Sequence, residues 1–326
     1  MRRRDLIALA GLGSIARSAV AAAQQAPNPP RIGYLRFASA TASVRRVAAL
    51  RAGLRDLGYV EGKNIVIEFR WAERFEQLAE FAGELAAMKV DVIFAGSSTE
   101  VEAARQATRT IPIVFAAHAD PVSVGHVDTL SRPGGNITGL AMVLTELVAK
   151  GLELLNEAVP SATRFGVIFN PNVPSNRPVL QALEIASQKL GTSLHIATVA
   201  TVDDFAGAFT MIVRERVGAL FVMTSPFTLS HGAALAELAL KHQLPALFGS
   251  RENVEAGGLM SYAPDFDDLT RRSAAYIDKI LKGVKPADLP VEQASRYQLA
   301  INLNTANALG LKIPSAILAR ADEVIG

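Results

Sequence analysis

A chain of 326 residues, half of them hydrophobic and none of them cysteine, has no disulfide or thiolate chemistry and must rest on a large core. Its 33 basic and 31 acidic residues nearly balance, so no excess of positive charge supports a nucleic-acid partner. The length exceeds that of a usual single core and predicts two lobes.

In chain order the first signal is a leader. Arg2, Arg3 and Arg4 precede an apolar run, Leu6 to Ala16, and then the small residues Ala19-Val20-Ala21-Ala22-Ala23, the order of a secretory signal peptide. About eleven apolar residues are too few to cross a bilayer as a helix. Residues 1–23 are therefore expected to be removed, with cleavage after Ala23 and Ala21 as the competing site. Arg3-Arg4 fits the twin-arginine export route as well as the general one, and the lack of cysteine excludes a lipoprotein anchor. The leader carries four of the arginines and one aspartate, so the remainder has 29 basic and 30 acidic residues and a net charge of −1.

Residues 24–30, ending Pro27-Asn28-Pro29-Pro30, read as a linker. Ile32 to Leu35 is then a buried strand, and Val44, Val47, Leu50, Leu54 and Leu57 mark a helix with Ser43 as N-cap and Gly58 as its stop. Ile65, Ile67 and Phe69 alternate as a strand; Phe75, Leu78, Ala82 and Leu85 mark a helix. Strand 90–94, helix 98–108 and strand 111–115 follow, and after Arg132-Pro133-Gly134-Gly135-Asn136 come strand 137–140 and a helix from about Glu146 to Ala158. The alternation restarts with strands at 165–169, 193–199, 218–223 and 245–248 and helices at 178–190, 203–215 and 230–242. Strand 257–262, helix 269–281 and strand 299–303 complete the pattern. Strict alternation predicts an α/β fold of two doubly wound parallel sheets, and a tail that adds elements after two such lobes predicts several crossings between them, hence a hinge and a cleft.

In open parallel sheets ligands lie beyond the carboxyl ends of the strands. Those ends are Arg36 to Ala40, Gly96-Ser97-Ser98-Thr99, Ala117 to Pro121, Asn170-Pro171-Asn172, Thr224-Ser225-Pro226-Phe227 and Gly249-Ser250-Arg251. Ser97 and Ser98 open a helix, and either hold a carboxylate or simply cap it. Asp120 either caps a helix or accepts a bond from a ligand amine, and Asn170 and Arg251 either bond a polar ligand or serve as a turn residue and a salt bridge. His118, Asp120, His126 and Asp128 have metal-ligand chemistry, yet nothing fixes them on one face and no second cluster completes a site, so no metal or other cofactor is expected. The chain has no Gly-x-Ser-x-Gly elbow, phosphate loop, dinucleotide fingerprint or cysteine nucleophile, and an enzyme is not expected.

Several segments together carry a resemblance. Leu57-Gly58-Tyr59-Val60-Glu61-Gly62-Lys63-Asn64-Ile65, Thr110 to Phe115 with Asp120-Pro121-Val122, Arg132 to Gly139, Gly257 to Tyr262, Lys279 to Gly283 and Pro286 to Gln293 resemble the substrate-binding proteins of ABC importers, in the group that includes tryptophan/tyrosine binders. The resemblance runs from about residue 31 to 326. It implies a type I periplasmic-binding fold, with residues 31–142 and 265–290 in one lobe, 143–264 and 291–326 in the other, and three crossovers between them. It further implies a periplasmic monomer that carries a small-molecule ligand, an aromatic amino acid or a small aromatic or carboxylic acid, to an ABC permease with a cytoplasmic ATPase. By the same analogy Ser97 and Ser98 meet the carboxylate, Asp120 lies near the amine, and Phe37, Phe227 or Tyr262 packs on the side chain. His118, Asn170, Ser225 and Arg251 complete the expected set. Ser225 stands where many relatives have aspartate, which leaves ligands other than amino acids open. The rival readings are an exported α/β enzyme using the same cleft and a sensor for a membrane receptor. A cytoplasmic regulator on this fold would need a DNA-binding helix pair before the first strand, where this chain has a leader.

Overall fold

The computed structural model describes residues 29–326; the expected leader and residues 24–28 of the linker lie outside them. The first lobe begins with β1 (Arg31–Phe37), α1 (Val44–Asp56), β2 (Val66–Ala72), α2 (Phe75–Ala87), β3 (Val92–Ser97), α3 (Ser98–Ala107), β4 (Ile113–His118) and β5 (Ile137–Ala141). The chain then crosses into α4 (Leu144–Ala158), β6 (Arg164–Phe169), α5 (Asn176–Leu190), β7 (Ser193–Thr198), α6 (Asp204–Arg214), β8 (Ala219–Val222), α7 (Pro226–Ser230), α8 (Gly232–Lys241), β9 (Ala246–Phe248), α9 (Arg251–Glu255) and β10 (Met260–Pro264). It returns through α10 (Phe266–Leu281) and β11 (Glu292–Gln293), and crosses a third time into β12 (Tyr297–Asn302), α11 (Leu303–Ala308), α12 (Ser315–Leu318) and β13 (Glu323–Ile325).

Two sheets result, ordered β11-β5-β4-β3-β1-β2 and β13-β12-β10-β9-β8-β6-β7. Every pairing is parallel except β10 with β12. Covered by helices on both faces, the inner strands are mostly apolar, and β4 and β8 are buried at every position. Three crossovers and two doubly wound sheets agree with the expected fold class. One boundary needs correction: β11 pairs with β5 in the first sheet, and Ala294 N–H still bonds to Ala141. The returning segment therefore extends past residue 290, because a two-residue strand leaves no periodicity in a sequence. Ser43 also departs from expectation, since its hydroxyl donates to the Ser39 carbonyl and does not cap α1. At the first crossover Val143 has φ +51°, an uncommon conformation for a β-branched residue.

The first lobe depends on a close approach of α1 and α10. Leu50 and Leu54 of α1 and Leu269, Ala274 and Ile277 of α10 are buried. A Cβ at Gly53 would overlap the Arg271 carbonyl, so only glycine lets the two backbones meet. The end of β4 is fixed differently. Asp120 N–H donates to His118 Nδ1 (3.1 Å), so Nε2 carries the proton and donates to His126 Nδ1 (2.7 Å), whose own Nε2–H donates to Glu102 (2.7 Å). Burial holds the His118 imidazole well below its ordinary pKa and His126 below its own, the latter despite the Glu102 carboxylate. Burial raises the Glu102 carboxyl, but bonds from His126, Gln106 and Arg105 outweigh it and hold the group below the usual carboxylate range.

Among the described residues no helix is long and apolar enough to cross a membrane. Two outcomes are expected. Gly53→Ala should force α1 from α10 and lower stability by about 1–3 kcal/mol, seen as a fall in melting temperature; an unchanged melt would contradict the contact. The two histidines bind fewer protons folded than unfolded, so their contribution is intact above the unfolded pKa of about 6.5 and is lost as pH falls below it. The melting temperature should drop between about pH 6.5 and 5, and the drop should flatten in a His118→Gln, His126→Gln double variant. An equal slope in that variant would place the titration elsewhere.

Candidate functional site

The carboxyl ends of the two sheets face one another and enclose a narrow cavity of about 30 Å³ between the lobes. Arg36 of β1, Gly96 and Ser97 of β3, Ser98 of α3, and Ala117 and Ala119 at the end of β4 form one wall. Val173 and Ser175 before α5, and Thr224, Ser225, Pro226 and Leu229 at the start of α7, form the other. Met142, Leu144 and Phe266, at two of the crossovers, complete the lining. The buried hydroxyls of Ser98 and Ser175 lie 3.0 Å apart and bond the lobes directly.

Local chemistry sets each polar group. Ser97 caps α3 by accepting from Thr99 N–H, and its hydroxyl donates to Glu100. Glu100 is fully buried; its other oxygen accepts Phe37 N–H at 2.9 Å, which ties the end of β1 to α3. The positive end of the α3 dipole therefore faces the cavity. Ser225 caps α7 and accepts Thr228 N–H at 3.0 Å, while the Thr228 hydroxyl returns to Ser225 N–H, with Pro226 at the first helical position. Arg36 is the one charged residue in the lining. Its Nε is buried without an acceptor, and its guanidinium lies against Gly96, where any Cβ would overlap Nη1.

Of the residues expected from sequence, Ser97, Ser98 and Ser225 line this cavity. Phe37 and Phe227 line a second, outer groove between the lobes, where Phe37 stacks on Phe75 (4.4 Å, 23°) and Phe227 packs on His231 (4.6 Å). The other five fall outside both. His118 is turned into the lobe to bond His126, because alternation along β4 sends its neighbours Ala117 and Ala119 to the cavity instead. Asp120 accepts from Ser123 N–H and the Thr145 hydroxyl, each at 3.1 Å. Asn170 is buried within its own loop, accepting Asn172 N–H at 2.9 Å. Arg251 pairs with Glu255 and Glu323, and Tyr262 packs beside Tyr297. Sequence reasoning passed over Arg36 and Thr224, although both stand in the strand-end segments, and gave no signal for Ser175. Among the described residues no group of His, Cys, Asp and Glu is placed to hold a metal ion.

A salt-bridge cluster also spans the lobes. Arg46, mostly buried on α1, bonds Glu252 of α9 at 2.7 Å and also Asp267 of α10; Arg45 reaches Glu255 at 3.4 Å. Burial raises the Glu252 carboxyl, but the attraction and hydrogen bond of Arg46 outweigh it and hold the group below its ordinary pKa.

The chain resembles known proteins in both sequence and arrangement. The sequence model of the family "ABC transporter substrate binding protein" matches residues 31–325. A tyrosine-binding protein of Clostridioides difficile is 28% identical over 264 residues, which is 81% of this chain and 76% of that protein. The solved ABC domain in complex with L-Trp from Streptococcus pneumonia superposes with TM-score 0.83 at 26% identity, covering 91% of this chain and all of that one. The ligand-free, open structure of a substrate binding protein from Clostridium difficile is 27% identical and covers 91% of this chain and 99% of that one, yet its TM-score is 0.63. A match that spans both lobes and all three crossovers makes this chain a member of the ABC transporter substrate binding protein family.

Proposed function

We propose that the protein is exported to the periplasm, where as a monomer it captures a small organic ligand between its lobes and delivers it to an ABC import permease with a cytoplasmic ATPase. The observation that carries this reading is the interlobe cavity, whose walls come from both lobes and meet at Ser98 and Ser175. A ligand that touches both walls binds the closed form more tightly than the open one, and only that difference drives closure. Tyrosine- and tryptophan-binding relatives support an amino acid or a similar aromatic or carboxylic acid as cargo. Arg36, Ser97, Ser98, Ser175, Thr224 and Ser225 would bond its polar end, and Met142, Leu144, Val173, Leu229 and Phe266 would enclose its apolar body. The chain itself makes or breaks no covalent bond in this reading.

Thermal melting of the protein begun at Gln24, against amino acids, aromatic acids and small carboxylates, tests capture. A ligand at a hundredfold excess over Kd should raise the melting temperature by roughly 5 °C, and Ser98→Ala should reduce the shift. A folded protein that no compound shifts would count against capture of these classes. The Arg46–Glu252 pair favours the closed form, so Glu252→Gln should weaken binding severalfold, on the order of 1 kcal/mol, measured by titration calorimetry. Unchanged affinity would mean that the pair persists in the open form.

A further inference from the structure

We infer that the cavity selects an organic acid that lacks an α-ammonium group, an apolar-bodied carboxylate held by Arg36, over the zwitterion of an amino acid. This rests on the proposal that the interlobe cavity is the ligand site, and names the chemical class it takes. Six polar residues line the cavity, and five of them are neutral hydroxyls. The sixth, Arg36, is a cation whose Nε is buried without an acceptor and which forms no ion pair among the described residues. A buried Nε–H without an acceptor is unfavourable, and a carboxylate satisfies it together with a neighbouring guanidinium N–H through two parallel N–H···O bonds. Gly96 holds the space that the guanidinium occupies, and the positive end of α3 adds to the same field. An anion is thus matched by Arg36 on one wall.

An ammonium group is matched nowhere. No aspartate or glutamate lines the cavity. The buried Glu100 behind Ser97 has one oxygen on Phe37 N–H and the other on the Ser97 hydroxyl. Asp120 has one oxygen on Ser123 N–H and the other on the Thr145 hydroxyl. A cation entering the cavity would lose its hydration, meet Arg36 and the α3 dipole as like charges, and gain only neutral hydroxyl acceptors. Opposite the polar groups, Met142, Leu144, Val173, Leu229 and Phe266 offer apolar surface suited to the body of such an acid.

The test compares matched pairs by titration calorimetry on the protein begun at Gln24: phenylalanine with 3-phenylpropionate, tryptophan with indole-3-propionate, leucine with 4-methylpentanoate, and phenethylamine as the amine alone. At least one acid should bind about tenfold or more tightly than its amino-acid partner, and the amine should not bind. Arg36→Gln should weaken that acid by about tenfold or more without lowering the ligand-free melting temperature, because no native partner is lost. Tighter binding of the amino acids overturns the selectivity while leaving capture between the lobes intact. Acid affinity unchanged in Arg36→Gln overturns the anchor. Absence of binding by every pair, when the melting panel does find a ligand, overturns the carboxylate class altogether.

Discussion

Two parallel sheets meeting end to end confront the same constraint: polar groups gathered at the strand ends must find partners in the opposite lobe, in their own loop or in a ligand. Most of the site follows from how each group meets it. Ser98 finds Ser175 across the gap, Ser97 and Ser225 turn to capping their own helices, and Glu100 binds the backbone of β1. Arg36 Nε stays buried at the cavity wall with no acceptor. Burial of an unsatisfied polar group is costly enough that a site closed with such a group left over is one arranged for something else to complete it.

Closure also has a term that owes nothing to a ligand. Arg46 joins Glu252 across the lobes while remaining fixed by Asp267 within its own, so one side of the pair is already ordered before the lobes meet. The Arg46–Glu252 pair and the Ser98–Ser175 bond join the two lobes in this arrangement. A ligand shifts such an equilibrium only by its differential affinity for the two states.

The architecture was legible because helices and strands of this fold have long, regular patterns. The Leu50/Leu54 stripe and the apolar runs of β1, β3 and β4 sit close to where periodicity puts them. Short elements were not legible: α7 begins at Pro226, which in sequence reads as a strand end; α9 spans only Arg251–Glu255; and β11 has two residues. The strand-end rule placed Ser97, Ser98 and Ser225 beside the cavity, because position along a strand is readable from sequence. Direction is not. One step of alternation turns His118 from the cavity into a bond with His126, and Arg251 is drawn away by Glu323, 72 residues on. Arg36 was hidden for the opposite reason, as a charge at the end of a strand reads as a solvated residue until the cavity beside it is seen.

The central claim is that the lobes close on a ligand. Small-angle X-ray scattering of the protein begun at Gln24, with and without a saturating compound from the melting panel, tests it directly. The account predicts that ligand lowers the radius of gyration and brings the curve onto that calculated for the arrangement described above, with a broader ensemble in its absence. Identical curves with and without bound ligand would contradict closure as the means of capture.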